Sequence, residues 1–420
     1  MPASGKNANQ DGLSFLPGLV KVVGVTSLAA IFVWFSIVFT FAMMGASATA
    51  RSFVPLWIAS NVEAATASTI LQSGSPTAAE LTIARSLGQS VIKRDPTNVS
   101  AVRSLGTLAA LSDPFNAKAA RLFTYAETLS RRDLPTQLWL IERNVAANDI
   151  PGALVHYDRA LRTNVAARDL LIPILVEAAK QPAVADSLAK IIAHRPLWWA
   201  EFMDKFIYAA DAPQSLELIA AQLRLNKKND GERNLLIQTM MSLVEGNAPQ
   251  RAYDLFKQAD GSNPSGVNFV RDGGFDNSGG LPPFDWSFVD EADLSAVRER
   301  RTEGIAAWVL SMVAQNGRGG IAAQQLLMLP AGLYRLSGRG GDMPEDLIAT
   351  PKIVLTCTGK GGVPLVVARY PTGQAHAAVD TTFTVPTTGC PAVWLILSRE
   401  APVNREAVTP WVDAITVRRS

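Results

Sequence analysis

The sequence predicts a multidomain chain with an N-terminal transmembrane helix, an all-α repeat region and a C-terminal all-β sandwich. Three observations carry this. Residues 22 to 44 (VVGVTSLAAIFVWFSIVFTFAMM) contain no charged residue. A triplet of small, larger apolar and small residues recurs every 31 to 37 positions from Ala84 onward. Beyond residue 267, short apolar runs alternate with Gly and Pro.

The apolar stretch comes first in the chain. At the helical rise it reaches about 34 Å, enough for a hydrocarbon core of about 30 Å. It predicts a disordered cytoplasmic tail over 1–21 and a single-pass anchor over 22–45 in the inner (plasma) membrane. Lys6 and Lys21 precede the span and Arg51 follows it closely. By the positive-inside rule this puts the N-terminus inside and the bulk of the chain on the exported side, periplasmic if the cell is Gram-negative. A cleaved signal peptide competes, because Ala46-Ser47-Ala48 and Ala48-Thr49-Ala50 resemble cleavage sites. The apolar run is, however, longer than the usual signal core of about 7 to 15 residues.

Charge and cysteine usage narrow the function classes. Lys plus Arg number 39 and Asp plus Glu 37, a balance that gives no reason to expect nucleic acid. The two cysteines, Cys357 and Cys390, fall in the last third of the chain. In an exported domain they predict one disulfide; in a cytosolic one they would be two buried thiols.

Residues 51–260 are rich in Ala and Leu at helical spacing. Ala119, Phe123 and Ala126 form a triplet, as do Ala153, Tyr157 and Ala160, and Ala252, Phe256 and Ala259. Weaker copies are Ala84, Gly88 and Val91, then Val184, Leu188 and Ile191, and last Ser215, Ile219 and Gln222. Their first residues are separated by 35, 34, 31, 31 and 37 positions, the period of a helical hairpin. Small residues let two antiparallel helices approach while the larger one fills the gap to the next pair. The segment TQLWLIERNVAANDIPGALVHYDRALRTN resembles a tetratricopeptide repeat, with Asn148-Asp149 in its turn. The resemblance implies a tetratricopeptide-like solenoid with a protein partner on its concave face. Trp198 and Trp199 are the candidate partner-binding residues.

A linker is expected over 261–267, where Gly, Ser, Asn and Pro are dense. Runs at 305–314, 324–330, 332–339, 352–358, 381–386, 392–399 and 414–419 then read as strands of a sandwich over 268–420. The opening NFVRDGGFDNSGGLPPFDWSF, the segment QQLLMLPAGLYRLSGR read as a central hairpin, and the ending WVDAITVRR resemble galactose-binding-like carbohydrate-binding modules of the jelly-roll type. That resemblance implies a glycan ligand and a structural calcium held by Asp272, Asp276 and Asp413; no other cofactor is expected.

Catalytic motifs are sparse. His156, His194 and His376 have no partner at metal spacing, and no G-x-S-x-G elbow occurs. The glycine clusters at 317–320, 338–342 and 359–362 read as tight hairpin connections. Asp272, Asp276, Asp285 and Asp290 would serve glycoside hydrolysis only if two of them converge. A sugar ring has apolar C–H faces that stack on flat side chains. Trp286, Trp411 and Tyr370 are therefore the candidate carbohydrate-binding residues, while Trp308, Tyr334 and Trp394 lie inside apolar runs and read as core. Together these features predict a non-catalytic, membrane-anchored scaffold in the production or export of a cell-surface polysaccharide. The alternatives are a glycan-active enzyme and a purely structural assembly protein.

Overall fold

The structure, a computed structural model, describes residues 56–111, 113, 116–208, 211–261, 267–277, 279–301, 308–359, 363–401 and 408–420. The expected tail and membrane span lie outside these residues. Among the described residues no helix is long and apolar enough to cross a membrane. By its contacts the chain divides between Asn164 and Val165.

Among its described residues the first unit contains six helices: α1 (Leu56–Gln72), α2 (Ala78–Arg94), α3 (Val99–Ala110), α4 (Ala117–Leu129), α5 (Leu134–Ala146) and α6 (Ile150–Thr163). Their starts are set by side chains that accept from the free amides of the first turn. Thr77 forms a capping box with Glu80, and Asn98, Asn116, Asp133 and Asp149 cap the four helices that follow. The triplet residues are buried where the reading of the sequence places them, Ala84, Gly88 and Val91 in α2 and Ala119, Phe123 and Ala126 in α4. Small residues do permit close approach here. A Cβ on Gly106 of α3 would lie 3.0 Å from the Phe123 ring of α4. On its other side Phe123 stacks on Trp139 of α5 at 4.1 Å between centroids.

The second unit opens with α7 (Arg168–Ala179), α8 (Pro182–Ile192), α9 (Trp199–Phe206), α10 (Pro213–Leu223), α11 (Asp230–Glu245) and α12 (Pro249–Asp260). The remaining triplets begin in α8, α10 and α12, with Val184, Ser215 and Ala252 buried. Gln222, the last member of the poorest copy, is exposed. The helix α11 ends in a Schellman motif: the Ala248 N–H donates to Leu243 O at 2.8 Å and the Asn247 N–H to Val244 O at 3.0 Å. Asn247 accordingly takes the left-handed conformation, with φ 58.

Ten strands follow. Sheet A has the order β1 (Ser287–Phe288), β4 (Gly320–Leu327), β9 (Val393–Arg399), β6 (Lys352–Cys357), β7 (Pro364–Arg369). Sheet B has the order β2 (Leu294–Arg300), β3 (Trp308–Ala314), β10 (Trp411–Arg419), β5 (Gly332–Gly341), β8 (His376–Val385). Every pairing is antiparallel. Inward residues of both sheets share one core, among them Leu310, Met312, Leu336, Ile353, Leu395 and Val417.

Two expectations about connections change. The segment 324–339 is not a hairpin, because β4 belongs to sheet A and β5 to sheet B. The glycines at 338–341 are not a turn but the end of β5. They are required there by close neighbours: a Cβ on Gly338 would meet the Tyr370 hydroxyl at 2.8 Å, and one on Gly341 the Trp411 ring at 2.5 Å.

The helices of this unit are joined directly to the sandwich. Phe284 packs against Tyr253 and Phe256 of α12, each at 5.1 Å between centroids. Arg271 lies over the Phe256 ring and bridges Asp260 at 2.9 Å and Asp285 at 2.7 Å. These contacts fasten α12 to the segment that leads into sheet A.

Candidate functional site

Side-chain alternation decides which face each residue of β9 serves. Val393, Leu395 and Leu397 belong to the core, so Trp394, Ile396 and Ser398 face outward. Trp394 is flanked in register by Leu326 and Thr356, and Ile396 by Gln324 and Val354. A groove of about 670 Å³ opens over this face, between it and the C-terminal end of α11. Its walls carry Met241, Val244, Glu245 and Asn247 on the helical side, and Gln324, Thr358 and Trp394 on the sheet side.

Three features of the groove suit it to a polar ligand with apolar faces. Trp394 is half-buried, its outer part open to the groove. Gln324 and Asn247 bring amides to its walls and Glu245 a carboxylate, all at least partly open to solvent. The Thr358 hydroxyl is buried without any partner, an uncommon state in folded proteins. The Schellman turn fixes Asn247, and the central position of β9 fixes Trp394.

The residues expected to form a sugar platform are elsewhere. Trp286, Trp411 and Tyr370 are 6%, 3% and 1% exposed. Trp286 packs on Phe275 and donates its indole N–H to Asp272 O at 3.0 Å. Trp411 lies over Gly341 under the Arg301 guanidinium. Tyr370 donates to Arg339 O at 3.2 Å, and burial pushes its phenol far above the ordinary value. As packed residues they offer no ring face to a ligand, which corrects their assignment. The read-through of AVWLILSR as core also misplaced Trp394. The signal was present in the alternation Trp394, Ile396, Ser398, but half-burial beside α11 made the outward positions apolar too.

Trp198, nominated for partner binding, is 1% exposed and packs edge-on against Phe202. It is a core residue of its unit. Trp199 is partly exposed beneath the Arg195 guanidinium, 5.5 Å from its ring. Trp308 is partly exposed and Tyr334 fully buried.

Of the carboxylates expected to hold calcium, Asp276 and Asp413 both come close to Gly274. Asp272 accepts from the Asp276 N–H at 2.8 Å and the Asn277 N–H at 3.1 Å, and burial pushes its carboxyl up from the usual range. Asp413, 3% exposed, pairs with Arg339 at 2.6 Å. Among the described residues no three His, Cys, Asp or Glu side chains are placed to hold a metal.

A second cavity of about 460 Å³ touches Asp272, Asp285 and Trp286. Its charges are already paired: Asp285 accepts from Arg271 and from the Leu281 N–H at 2.8 Å. His156 is buried against Gln137 and Glu127 in the first unit, and burial holds its imidazole below its ordinary value. Cys357 and Cys390 form a disulfide with Cα atoms 5.0 Å apart.

No protein-family profile matches the chain and no curated protein is similar to it. Solved structures are similar only remotely. Family 16 Carbohydrate Binding Module-2 shows 17% identity over 36% of this chain and 99% of its own, with a TM-score of 0.26. TmCBM61, solved with β-1,4-galactotriose, shows 18% identity over 36% and 99%, with a TM-score of 0.25. The enzymatically active domain of bacteriophage CBA120 tailspike protein 4 shows 10% identity over 37% of this chain, with a TM-score of 0.28. Only 22% of that tailspike chain is covered. Likenesses this remote assign no ligand.

Proposed function

We propose that this chain is a membrane-anchored, exported, non-catalytic scaffold whose groove between α11 and sheet A binds a glycan. One observation carries the reading: a half-buried Trp394 lines the same groove as the solvent-facing amides of Gln324 and Asn247. A pyranose stacks its C–H face on an indole while its hydroxyls take up neighbouring donors and acceptors, and this groove supplies both. The volume falls within the range of about 300–1,000 Å³ usual for ligand sites.

Other parts of the reading have separate supports. The charge-free span at 22–44 is the proposed anchor, and the Cys357–Cys390 disulfide suits an oxidising, exported location. The helical hairpins form a tetratricopeptide-like surface for a protein partner, and the sandwich is of jelly-roll type. Together they support a role in cell-surface polysaccharide production or export. Hydrolysis needs two converging carboxylates, and Glu245 is the single carboxylate among the described lining residues of the groove.

The test is titration of the purified full chain with soluble β-glucan, xylan, galactan and anionic polysaccharides. Saturable binding to at least one, without release of reducing ends, is expected. Absence of binding to all of them overturns the glycan reading in favour of a purely structural role, and turnover makes the protein an enzyme.

A further inference from the structure

The disulfide lies at the rim of the groove. Cys357 is the last residue of β6, and Thr358 and Gly359, which line the groove, follow it directly. Cys390 stands just ahead of β9, four residues before Trp394. Cys357 is the register partner of Val393, and the Thr358 N–H donates to Ala392 O at 2.9 Å. Beyond the end of β6, the rim is therefore tied to the strand that carries Trp394 by one hydrogen bond and one covalent link.

Among the described residues no hydrogen bond holds the Thr358 hydroxyl in its place. The group is buried, and a small outward movement of the turn would hydrate it. Gly359, with φ 120, provides the freedom for that movement. The register of β6 and β7 shifts between Leu355 and Thr356, so pairing with β7 weakens at the same point. The covalent link opposes all three tendencies.

We propose that the Cys357–Cys390 disulfide is a positioning element for the groove, holding the Thr358–Gly359 rim against the strand of Trp394, so that the site is complete only in the oxidised protein. This rests on the glycan-binding reading above. Reduction by a dithiol delivers two electrons and two protons, breaks the S–S bond, leaves two cysteine thiols and converts the dithiol to its cyclic disulfide. The freed rim then moves outward, and the wall opposite Asn247 is lost.

The experiment uses the full chain, oxidised or treated with dithiothreitol, with thiol release verified by alkylation and mass. Binding to soluble β-glucan, xylan and galactan and amide hydrogen exchange at Thr358 are measured in both states. Reduction is expected to weaken binding at least tenfold and to speed exchange at Thr358 at least tenfold. The Cys357→Ser/Cys390→Ser variant should behave as the reduced protein; if it does not fold, reduction of the folded wild type gives the same readout. Val417→Ala, a core change in sheet B, should lower the melting temperature while leaving affinity within twofold, separating positioning from stability. Wild-type affinity in the fully reduced protein, or unchanged Thr358 exchange, overturns the proposal. If even the oxidised chain binds none of these glycans, the glycan reading fails, and the exchange measurement still decides whether the disulfide holds the rim.

Discussion

The two outer faces of one sandwich differ in what their polar groups do. On sheet B, Arg335 pairs with Asp380, Arg339 with Asp413, Ser337 with Thr416, and Ser311 with Glu299. Its indole, Trp411, is packed away from water. On sheet A, Trp394 is open to a groove also lined by the amides of Gln324 and Asn247. A face whose charged and hydroxyl groups pair with one another has little to offer a ligand, whereas solvent-facing amides around an accessible ring do. Aromatic content alone does not separate the faces, since both carry a Trp; the state of the neighbours does.

The largest expected effect breaks the comparison from the sheet B side. Trp411→Ala should destabilise the protein by about 3–5 kcal/mol, as for other buried aromatic truncations. Thermal unfolding measures it, and glycan affinity below the transition should be unchanged. Trp411→Phe should cost less, because the indole N–H it removes is itself buried without a partner.

Next comes Trp394→Ala. It should cost about 2 kcal/mol or more of binding, as at interface hot spots, roughly thirtyfold in Kd. The melting temperature should fall far less than for Trp411→Ala, and calorimetric titration beside a thermal scan separates the two. Gln324→Ala should have a smaller effect on affinity, about 1 kcal/mol, the usual net worth of one hydrogen bond. A loss no larger than that of Arg335→Ala on sheet B would erase the distinction between the faces.

How far these differences were legible in the sequence follows from the same physics. The triplets beginning at Ala84, Ala119, Ala153, Val184, Ser215 and Ala252 begin in α2, α4, α6, α8, α10 and α12, and where α3 meets α4 a small residue permits the close approach that such spacing implies. The strands β3, β4, β5, β6, β8, β9 and β10 were visible as apolar runs. β2 was missed because Arg298, Glu299 and Arg300 make its end look like a loop, and β7 because it follows a glycine cluster. The groove was hidden for a different reason. It is assembled from Asn247 and Gln324, far apart in sequence, and the linker expected to separate their domains is bridged by Arg271 and Phe284.

The smallest expected effect lies outside both faces and calibrates the stability measurements. A hydrogen bond from Arg195 holds the Glu232 carboxyl below its usual value. A carboxylate lowered in the folded state adds stability that is present above its unfolded pKa, about 4.3, and is lost as pH falls through the folded value. The melting temperature of Glu232→Gln should therefore lie slightly below wild type at pH 7 and converge with it as pH falls through the folded value. Because the pair is partly exposed, the gap should be small and should shrink further in high salt.

The central claim is that ligand sits on the outer face of sheet A beneath the end of α11. Amide hydrogen exchange of the full chain, with and without the polysaccharide it binds best, tests this most directly. The expected result is new protection at 241–248, 356–359 and 392–396, with none at 335–341 or 376–382. Protection confined to 335–341 and 376–382 would place the ligand on sheet B and contradict the account.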